Sequence, residues 1–518
     1  MILKIYGLKI KNYLVYAVGV RKMRECKLFV DGKCFGLWIF SIAFVIRLLP
    51  EFLSGPYPVG YDLLAGYAPS LYVFPDDAPL RLFGWAWSPL AVYILWFFWK
   101  LSGVDLFSFL KMAGPVFYGL FVLSFYYLLW RGVGWSEKKS FVTALLFLLQ
   151  PAVLRTGWDQ LREELGFVFL FVLLAETRLD VIAGARKKPF MVCLLSVLVV
   201  LSHQLATVLL FVVMVWQFMD ILVRKRSLPL RGLVAFIPSA FVFIWGLYGQ
   251  FVCPNYSDRF MPIQLPSGTG FFAFTNYFLS DPRFVGGDWF RVLAYVGSLS
   301  LYCVVPLVPL AVKGFFKDNV FMPILVWLCV ASYSIVVFPW FAFSHYWWWI
   351  LLLPIPLTVY LGEGLERLEI FTSNPKRFKI AVAGLILLCI VGFGYATSII
   401  RIGYPYAYSY LPSGLVESAI PFEDMPEFME ALEWVNQNAT VNFTVIVDEK
   451  FQGIAYAELR TDIKILVAPP LMKLSDVFEI IDKRVSLSCF VVYYEKNAEE
   501  YDQCKKVSFG KIGIYLID

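Results

Sequence analysis

PFMVCLLSVLVVLSHQLATVLLFVVMVWQFMDILV, residues 189–223, is an apolar stretch of 35 residues with a basic cluster at each end. One membrane-spanning helix needs about 20 residues, so the stretch is long enough for two spans. Basic residues flank the cytoplasmic ends of spans, and one span cannot have both of its ends in the cytoplasm. The stretch is therefore predicted to be a helical hairpin whose outer tip falls at its polar break, Ser202-His203-Gln204.

The composition of the whole chain requires a bilayer as its main solvent. Of the 518 residues, 59% are hydrophobic and 16% are charged, and the mean hydropathy is +0.69. Soluble domains have about 45–50% apolar and about 25% charged residues, so an ordinary soluble enzyme is excluded. The net charge of +6 comes from short basic runs between apolar segments. It follows the positive-inside pattern of membrane proteins and does not indicate a nucleic-acid partner.

The apolar runs predict a polytopic α-helical protein of the cell membrane with about eleven transmembrane helices. These spans are predicted at 34–50, 107–130, 140–154, 164–177, 189–203, 205–223, 232–252, 292–312, 319–338, 347–365 and 379–399. The loops on one side of them carry most of the Lys and Arg residues, which predicts that this side is cytoplasmic. The N-terminal segment 1–33 is then cytoplasmic, the transmembrane domain covers 34–400, and the C-terminus is extracytoplasmic.

The long first external loop, residues 51–106, is predicted to hold an amphipathic helix on the outer membrane surface. The run Trp87–Phe98 is apolar enough to resemble a span. Counting it as a span would place the basic loop 131–139 outside, which the positive-inside rule disfavours. A helix that lies in the membrane interface satisfies both observations.

Residues 401–518 are predicted to form a small extracytoplasmic α/β domain, because helical and strand periods alternate after Ser398. The predicted helices are Pro426–Gln437, Gly453–Arg460 and Leu474–Arg484. The predicted strands are Val441–Val447, Ile463–Val467, Cys489–Tyr494 and Lys511–Leu516. An extracytoplasmic location would allow Cys489 and Cys504 to form a disulfide, and the sequence leaves open whether they do.

Ionisable residues that are not cytoplasmic collect at the outer ends of the spans, and this asymmetry predicts a site at the outer membrane face. The candidates are Asp62 in the first external loop, Arg155, Asp159, Arg162, Glu163 and Glu164 in the second external turn, His203 and His345 on other outer turns, Arg283 in the fourth external loop, and Arg401 after the last span. Acidic residues at a lipid boundary are functional-site hypotheses by default. The sequence has no Walker, Rossmann, HExxH or CxxC pattern, so a nucleotide-driven pump is unsupported.

These residues also have purely structural interpretations. Arg47 and Glu51 are four residues apart and could simply pair near the end of the first span. Asp62 could be a helix N-cap, and residues 159–164 could be a solvated turn. The two histidines could be a polar hairpin tip and a member of an interfacial aromatic belt with the three Trp residues that follow it.

The order of these features resembles the GT-C superfamily of integral membrane glycosyltransferases over most of residues 34–470. Members have a first span, a long external loop that opens with an essential Asp, a surface helix, a basic cytoplasmic turn and a second external turn with acids. The matching segments are Tyr61-Asp62, Trp87–Gly103, Arg131–Lys139, Gln150–Arg155, Asp159–Glu164, His345–Gly364, Glu430–Asn438 and Thr444–Asp448. The chain is similar to oligosaccharyltransferase catalytic subunits and to protein O-mannosyltransferases.

The chain departs from that family in its external domain. Oligosaccharyltransferase subunits carry a Trp-Trp-Asp motif there, and the corresponding stretch here is Val447–Gly453. The resemblance therefore implies a polyprenyl-phosphate monosaccharide as donor, or an acceptor other than a glycosylation sequon. The low charge, the many aromatic residues and three glycosylation sequons favour a prokaryotic, archaeal envelope. The sequons are Asn255-Tyr-Ser, Asn438-Ala-Thr and Asn442-Phe-Thr.

The resemblance implies an inverting transfer of a sugar from a polyprenyl-phosphate-linked or pyrophosphate-linked donor to a protein, lipid or glycan acceptor at the outer face. Asp62 would act as base, and the further catalytic acids would be Asp159, Glu163 and Glu164. The donor phosphate would be bound by Arg155, Arg162, Arg283 and Arg401. The acceptor would be oriented by His203 and His345. Some family members hold Mn²⁺ or Mg²⁺, here by Asp62 with Glu163 and Glu164, and others need no metal. The sequence does not choose between them.

Two other classes of protein remain open. A secondary transporter would place its polar site near the bilayer midplane, on broken helices within inverted repeats. A non-catalytic protein of the same fold would bind a lipid-linked glycan without transferring it. The outer position of the acids disfavours the transporter, and loss of Asp62 without loss of function would indicate the non-catalytic protein.

Overall fold

The computed structural model describes residues 35–52, 55–60, 62–68, 70–72, 89–225, 230–252, 260–262, 274–275, 289–338, 342–343, 346–367, 424–441, 443–448, 451–468, 489–494 and 505–517, with isolated positions between 376 and 387. Several predictions lie outside these residues: the last span 379–399, the helix Leu474–Arg484, Arg283, His345, Arg401 and Cys504. Of Asp159, only the backbone is described.

The helices precede the main strands along the chain. They are α1 Phe35–Phe52, a π-helix Leu63–Tyr67, α2 Pro89–Ser102, α3 Leu106–Tyr127 with a π-helical end Leu128–Val133, α4 Glu137–Leu148, α5 Pro151–Asp159, α6 Leu161–Glu176, α7 Val181–Lys187, α8 Pro189–Ser202, α9 Gln204–Lys225, α10 Leu230–Leu233 with a 3₁₀ turn Val234–Phe236, α11 Ile237–Val252, α12 Trp289–Cys303, α13 Val308–Gly314, α14 Phe321–Val337, α15 Tyr346–Leu352, α16 Pro354–Arg367, α17 Met425–Asn438 and α18 Gln452–Glu458. The strands are β1 Phe260–Pro262, β2 Phe274–Thr275, β3 Ala342–Phe343, β4 Thr444–Asp448, β5 Lys464–Ala468, β6 Cys489–Tyr494, β7 Lys505–Phe509 and β8 Ile512–Ile517.

Several helices are long and apolar enough to cross a membrane. Within the described part of the chain, four pass this test by length and composition, and six pass if each of two bent helix pairs counts as one span. The four are Phe35–Phe52, Leu106–Val133, Gln204–Arg224 and Trp347–Arg367. The total of eleven spans stays a prediction.

Two of the predicted spans contain a bend at a proline, which the sequence analysis did not predict. Helices α4 and α5, which together cover the predicted span 140–154, meet at 70°. Gln150, the residue before Pro151, has an extended backbone with φ −75° and ψ 138°, as the residue before a proline prefers. Helices α12 and α13 meet at 65°, with Pro306 in the break.

The predicted break within residues 189–223 is present, and the hairpin across the membrane stays a prediction. Helices α8 and α9 are separated by one residue, His203, whose extended backbone ends α8. Both helices pack on α6, and α3 packs on the same helix from another side. Stacked aromatic rings fill this core: Phe125 lies 4.0 Å from Phe147 between ring centroids, and Phe121 stacks on Phe171 at 5.8 Å.

Helix α2 corresponds to the predicted surface helix Trp87–Phe98. One of its faces is buried by Ala91, Val92 and Leu95. On the rest of its surface, the apolar side chains of Phe97, Phe98 and Leu101 are 53–71% exposed. A helix with one packed face and exposed apolar side chains fits a position against lipid, and its position in the interface stays a prediction.

The C-terminal residues form a six-stranded mixed sheet in the order β1-β5-β4-β6-β8-β7. Strand β4 is parallel to β5 and to β6, and β8 is antiparallel to β6 and β7. The small α/β domain is therefore confirmed, with two additions to the predicted strands. Strand β7 forms a hairpin with β8 around Gly510, which has φ +53°, and β1 comes from the fourth external loop and pairs in parallel with β5.

The C-terminal domain packs directly on the first external loop. A Cβ built on Gly453 of α18 would lie 1.6 Å from the carbonyl oxygen of Leu64, so the two backbones are in contact. Tyr57 donates a hydrogen bond to the sulfur of Met429 at 3.0 Å, and Tyr72 stacks on Tyr456. The first loop and strand β1 therefore both contact the C-terminal domain.

Candidate functional site

The second external turn is buried within the protein. Helix α5 ends at Asp159 and α6 begins at Leu161, so the candidate acids Glu163 and Glu164 lie in the first turn of α6. Carboxylates there interact favourably with the helix dipole. Their exposed fractions are 5% and 1%. The alternative interpretation as a solvated turn is therefore wrong for these two residues.

Glu163 contacts the tip of the α8–α9 hairpin. His203 Nε2 lies 3.1 Å from Glu163 Oε1, and His203 Nδ1 accepts a hydrogen bond from the backbone N–H of Leu205 at 3.3 Å. This arrangement assigns the ring proton to Nε2, which donates to Glu163. Gly166 permits the contact, because a Cβ there would lie 3.2 Å from the His203 Cβ. His203 is the single residue between α8 and α9, and it is only 3% exposed.

Arg162 joins the second turn to the first external loop. Its backbone N–H donates to the Tyr67 hydroxyl at 2.9 Å, and its guanidinium lies 5.5 Å from the Tyr67 ring centroid. Burial raises the pKa of Tyr67, so this phenol stays neutral. Tyr67 was not predicted from the sequence, because nothing in its local pattern indicates that the π-helix reaches α6.

Asp62 occupies the N-cap position of the π-helix but makes no side-chain capping hydrogen bond. It interacts electrostatically with Tyr67 and Arg162. The structure therefore brings Asp62 close to the buried second turn. The N-cap interpretation explains why a residue of this type stands at this position, but the carboxylate makes no capping hydrogen bond.

Arg47 and Glu51 hold these segments together. They form the predicted pair, with 2.6 Å between Arg47 Nη1 and Glu51 Oε1. Arg47 also donates from Nε to the carbonyl of Gly157 at 2.6 Å and from Nη2 to that of Trp158 at 2.8 Å. Glu51 accepts from the backbone N–H of Val59 at 3.0 Å. The first span, the first loop and the end of α5 are thus tied together at one buried point.

Arg155 lies on the other side of the second turn. It is 2% exposed and its guanidinium carbon lies 5.6 Å from the Trp348 ring centroid. It also interacts electrostatically with Glu163. Trp347 and Trp349 are 6% and 1% exposed, so they pack inside the protein and the interfacial-belt interpretation is wrong for them.

Gln160, between α5 and α6, is a further candidate that sequence reasoning missed. Its amide is 1% exposed, and neither Oε1 nor Nε2 has a hydrogen-bond partner among the described residues. A buried amide without partners is costly, because both its donor and its acceptor have lost water. The sequence could have indicated Gln160 as a candidate, because it lies next to the acidic residues of the second turn.

A metal ion does not fit the described side chains. No three of their His, Cys, Asp and Glu side chains lie close enough together to hold one, and Asp62, Glu163 and Glu164 do not form such a group. Of the other acids of the first loop and second turn, the Asp159 side chain is outside this test.

The chain shares its fold with solved membrane proteins. It resembles ArnT from Cupriavidus metallidurans bound to undecaprenyl phosphate, with a TM-score of 0.53 and 11% identity over 93% of this chain and 97% of that chain. The apo state of ArnT gives a TM-score of 0.49 with 12% identity over the same shares. Arabinofuranosyltransferase AftD from mycobacteria gives 0.48 with 16% identity, over 88% of this chain and 36% of that chain. No known family profile and no curated protein sequence matches the chain.

The chain has the fold of ArnT, with apolar helices long enough to cross a membrane and a small C-terminal sheet domain. The likeness to the undecaprenyl phosphate complex of ArnT carries this conclusion, and at 11% identity it concerns the fold alone. The fold class that the sequence predicted is therefore confirmed. The archaeal origin stays a prediction.

Proposed function

We propose that the chain is a GT-C-type glycosyltransferase that moves a sugar, with inversion, from a polyprenyl-phosphate-linked donor to an acceptor at the extracytoplasmic face. One observation carries the proposal: the π-helix that begins at Asp62 is bonded through Tyr67 to the buried turn that holds Arg162 and Glu163. The fold supports it, since ArnT, which shares that fold, was solved with undecaprenyl phosphate bound.

Asp62 is proposed as the base because its carboxylate lies close to the buried second turn, where it interacts electrostatically with Tyr67 and Arg162. It would take the proton of the acceptor hydroxyl as the acceptor oxygen bonds to the sugar C1 and the bond from C1 to the phosphate oxygen breaks. The departing polyprenyl phosphate carries negative charge. Arg155 and Arg162 would stabilise that charge, and charge-assisted hydrogen bonds to phosphate are the strong kind.

The remaining candidates support this pair of functions. Glu163 holds His203 by the 3.1 Å contact, so both would position the acceptor side of the site rather than react. Glu164 is proposed as a further acid of the same turn, and Gln160 as a polar contact for the substrate. Asp159, Arg283, His345 and Arg401 stay predictions from the sequence, as does a Mn²⁺ or Mg²⁺ requirement.

The proposal is tested by sugar release from a panel of polyprenyl-phosphate and polyprenyl-pyrophosphate donors, using the purified full chain. We expect Asp62→Asn to lower turnover by at least about 100-fold, because a general base contributes about 10²–10⁴ in rate. Glu458→Gln is the matched control, since Glu458 is an exposed carboxylate on α18, the helix that packs on the π-helix. Its turnover should stay within about twofold of the original.

Each outcome separates the proposal from its alternatives. Turnover that survives Asp62→Asn would remove Asp62 as the base. Donor binding without turnover of any donor would favour the non-catalytic lipid-linked-glycan-binding protein. Sugar movement across a sealed vesicle without bond cleavage would favour a transporter. Repeating the assay with Mn²⁺ and with EDTA tests the metal requirement.

A further inference from the structure

We propose that the chain has a second ligand site, which binds the phosphate headgroup of an anionic membrane lipid. The site is a cavity of about 490 Å³ at the end of α6 away from the candidate active site. Its charged lining residues are Arg131, Glu176, Arg178, Asp180, Lys187 and Lys188. Helix α6 separates Glu163 from Glu176 by about 20 Å at a rise of about 1.5 Å per residue, so the two sites are distinct.

The acids of the cavity already have partners within the protein. Glu176 accepts hydrogen bonds from Lys188 Nζ at 2.7 Å and from the Tyr127 hydroxyl. Asp180 caps α7 by accepting from the backbone N–H of Ala183 at 2.9 Å. The cavity is therefore left with an excess of positive charge.

The side chains of the other three basic residues make no hydrogen bond or salt bridge to any described residue. They are Arg131, Arg178 and Lys187, and all three are exposed. They come from three separate segments: the π-helical end of α3, the turn after α6, and α7. Guanidinium and ammonium groups that converge from separate segments on one cavity are suited to a phosphate group.

The turn after α6 holds Arg178 at a conformational cost. Arg178 has φ +50° and Leu179 has φ +63°. The N–H of Leu179 bonds the carbonyl of Leu174 and that of Arg178 bonds Ala175, which is a Schellman cap of α6. Glycine is the usual residue at the left-handed position of this cap. Glycine would adopt this backbone conformation at lower cost, but only arginine places a positive charge at the cavity.

A lipid fits the surroundings better than a free phosphate ion. Phe190, two residues after Lys188 at the start of α8, is 81% exposed, and Leu194 one turn later is 48% exposed. This apolar surface begins beside the cavity, so acyl chains could lie along α8 while the headgroup occupies the basic cavity. Basic cavities between transmembrane helices bind anionic headgroups in this way.

The test titrates the purified full chain, in a neutral detergent, with dioctanoyl phosphatidylglycerol, dioctanoyl phosphatidylcholine and inorganic phosphate, and counts bound lipid by native mass spectrometry. We expect saturable binding of the anionic lipid and at least about tenfold weaker binding in the Arg131→Gln/Lys187→Gln double variant, because each loses a charge-assisted hydrogen bond. Arg186→Gln is the matched control: it removes one charge from α7 but lies outside this cavity. Its affinity should change less than twofold.

A second variant separates binding from folding. Arg178→Gly should weaken lipid binding while the melting temperature stays equal or rises, because glycine relieves the left-handed backbone. Unchanged binding in the double variant would overturn the proposal, as would an equal loss in Arg186→Gln, which would indicate unspecific attraction. Inorganic phosphate or phosphatidylcholine binding as tightly as the anionic lipid would also overturn it.

Discussion

Two ion pairs of the chain have the same i, i+4 spacing and opposite exposure. The side chains of Arg47 and Glu51 are 0% and 2% exposed, whereas those of Asp220 and Arg224 are 25% and 61% exposed. Exposed pairs contribute about 0–1 kcal/mol, because water already solvates both charges. Loss of one partner of a buried pair costs more, since the other charge stays without solvent.

We expect Arg47→Met to lower the free energy of unfolding by about 3–5 kcal/mol, because it leaves the Glu51 carboxylate buried without its cation. The carbonyls of Gly157 and Trp158 lose their donor in the same variant. The measurement is thermal unfolding of the purified protein in detergent. Arg224→Met is the control, with an expected change of about 1 kcal/mol or less. Equal losses in both variants would contradict a structural function for the buried pair.

The sequence predicted the Arg47–Glu51 pair but not its tertiary contacts. Four-residue spacing on a helix brings two side chains together whatever the fold. The bonds to Gly157 and Trp158 cross about 110 residues of chain. They depend on how α5 ends, and no local pattern around Arg47 encodes that. For the same reason, the sequence did not predict the contacts of Tyr67 with Arg162 and of Trp348 with Arg155.

At the scale of elements, the contact between α18 and the π-helix links the C-terminal domain to the candidate active site. A Cβ on Gly453 would meet the carbonyl oxygen and carbon of Leu64 at 1.6 and 2.5 Å. Both are backbone atoms, so no side chain can turn away to make room. The π-helix between Asp62 and Tyr67 must move if residue 453 gains a side chain.

We expect Gly453→Ala to cost about 1–3 kcal/mol of stability, as overpacking does. It should also lower turnover by about 100-fold, because a displacement of about 1 Å at a reacting group has that effect. The measurement is sugar release together with the melting temperature. Gly66→Ala is the control within the same π-helix, where a Cβ would meet nothing within 4 Å. Turnover unchanged in Gly453→Ala would show that the contact does not position Asp62.

Element boundaries were predictable where the pattern is local. Strand β6, Cys489–Tyr494, was predicted with its observed bounds, because an unbroken run of apolar and β-branched residues marks a buried strand. Strand β7 was missed, although Lys505–Phe509 alternates and is followed by Gly510, a recognisable hairpin signal. The bend at Pro151 was missed because the spans were predicted from hydropathy, which takes no account of the backbone N–H that proline lacks.

Cys489 was a candidate for a disulfide. It is buried on β6 and forms no disulfide with any cysteine among the described residues. Burial raises its pKa to about 11, which keeps the thiolate population small at neutral pH. Its sequence partner Cys504 lies outside the described residues.

At the scale of the whole molecule, the basic loops and the sheet domain are predicted to face opposite sides of the membrane. We expect Thr440→Cys, an exposed position after α17, to react with an impermeant maleimide on intact cells. Lys138→Cys, an exposed position at the start of α4, should react only after the membrane is permeabilised. The measurement compares the labelling of each variant with that of the unmodified chain, which gives the background from the native cysteines. Labelling of both positions on intact cells would contradict the orientation.

The three residues of β1 impose an order on the biosynthesis of this protein. Phe260 pairs with Ile465, so this parallel edge of the sheet joins positions about 200 residues apart. During translation the helices before residue 400 are synthesised before β5 exists. With the predicted orientation, the edge cannot close until the C-terminal segment has been translocated. Pairing over such separations is slow and leaves strand edges open to aggregation. The sheet is thus the last part of the chain to mature, and a ribosome stalled before residue 464 would leave a fully inserted but unfinished protein.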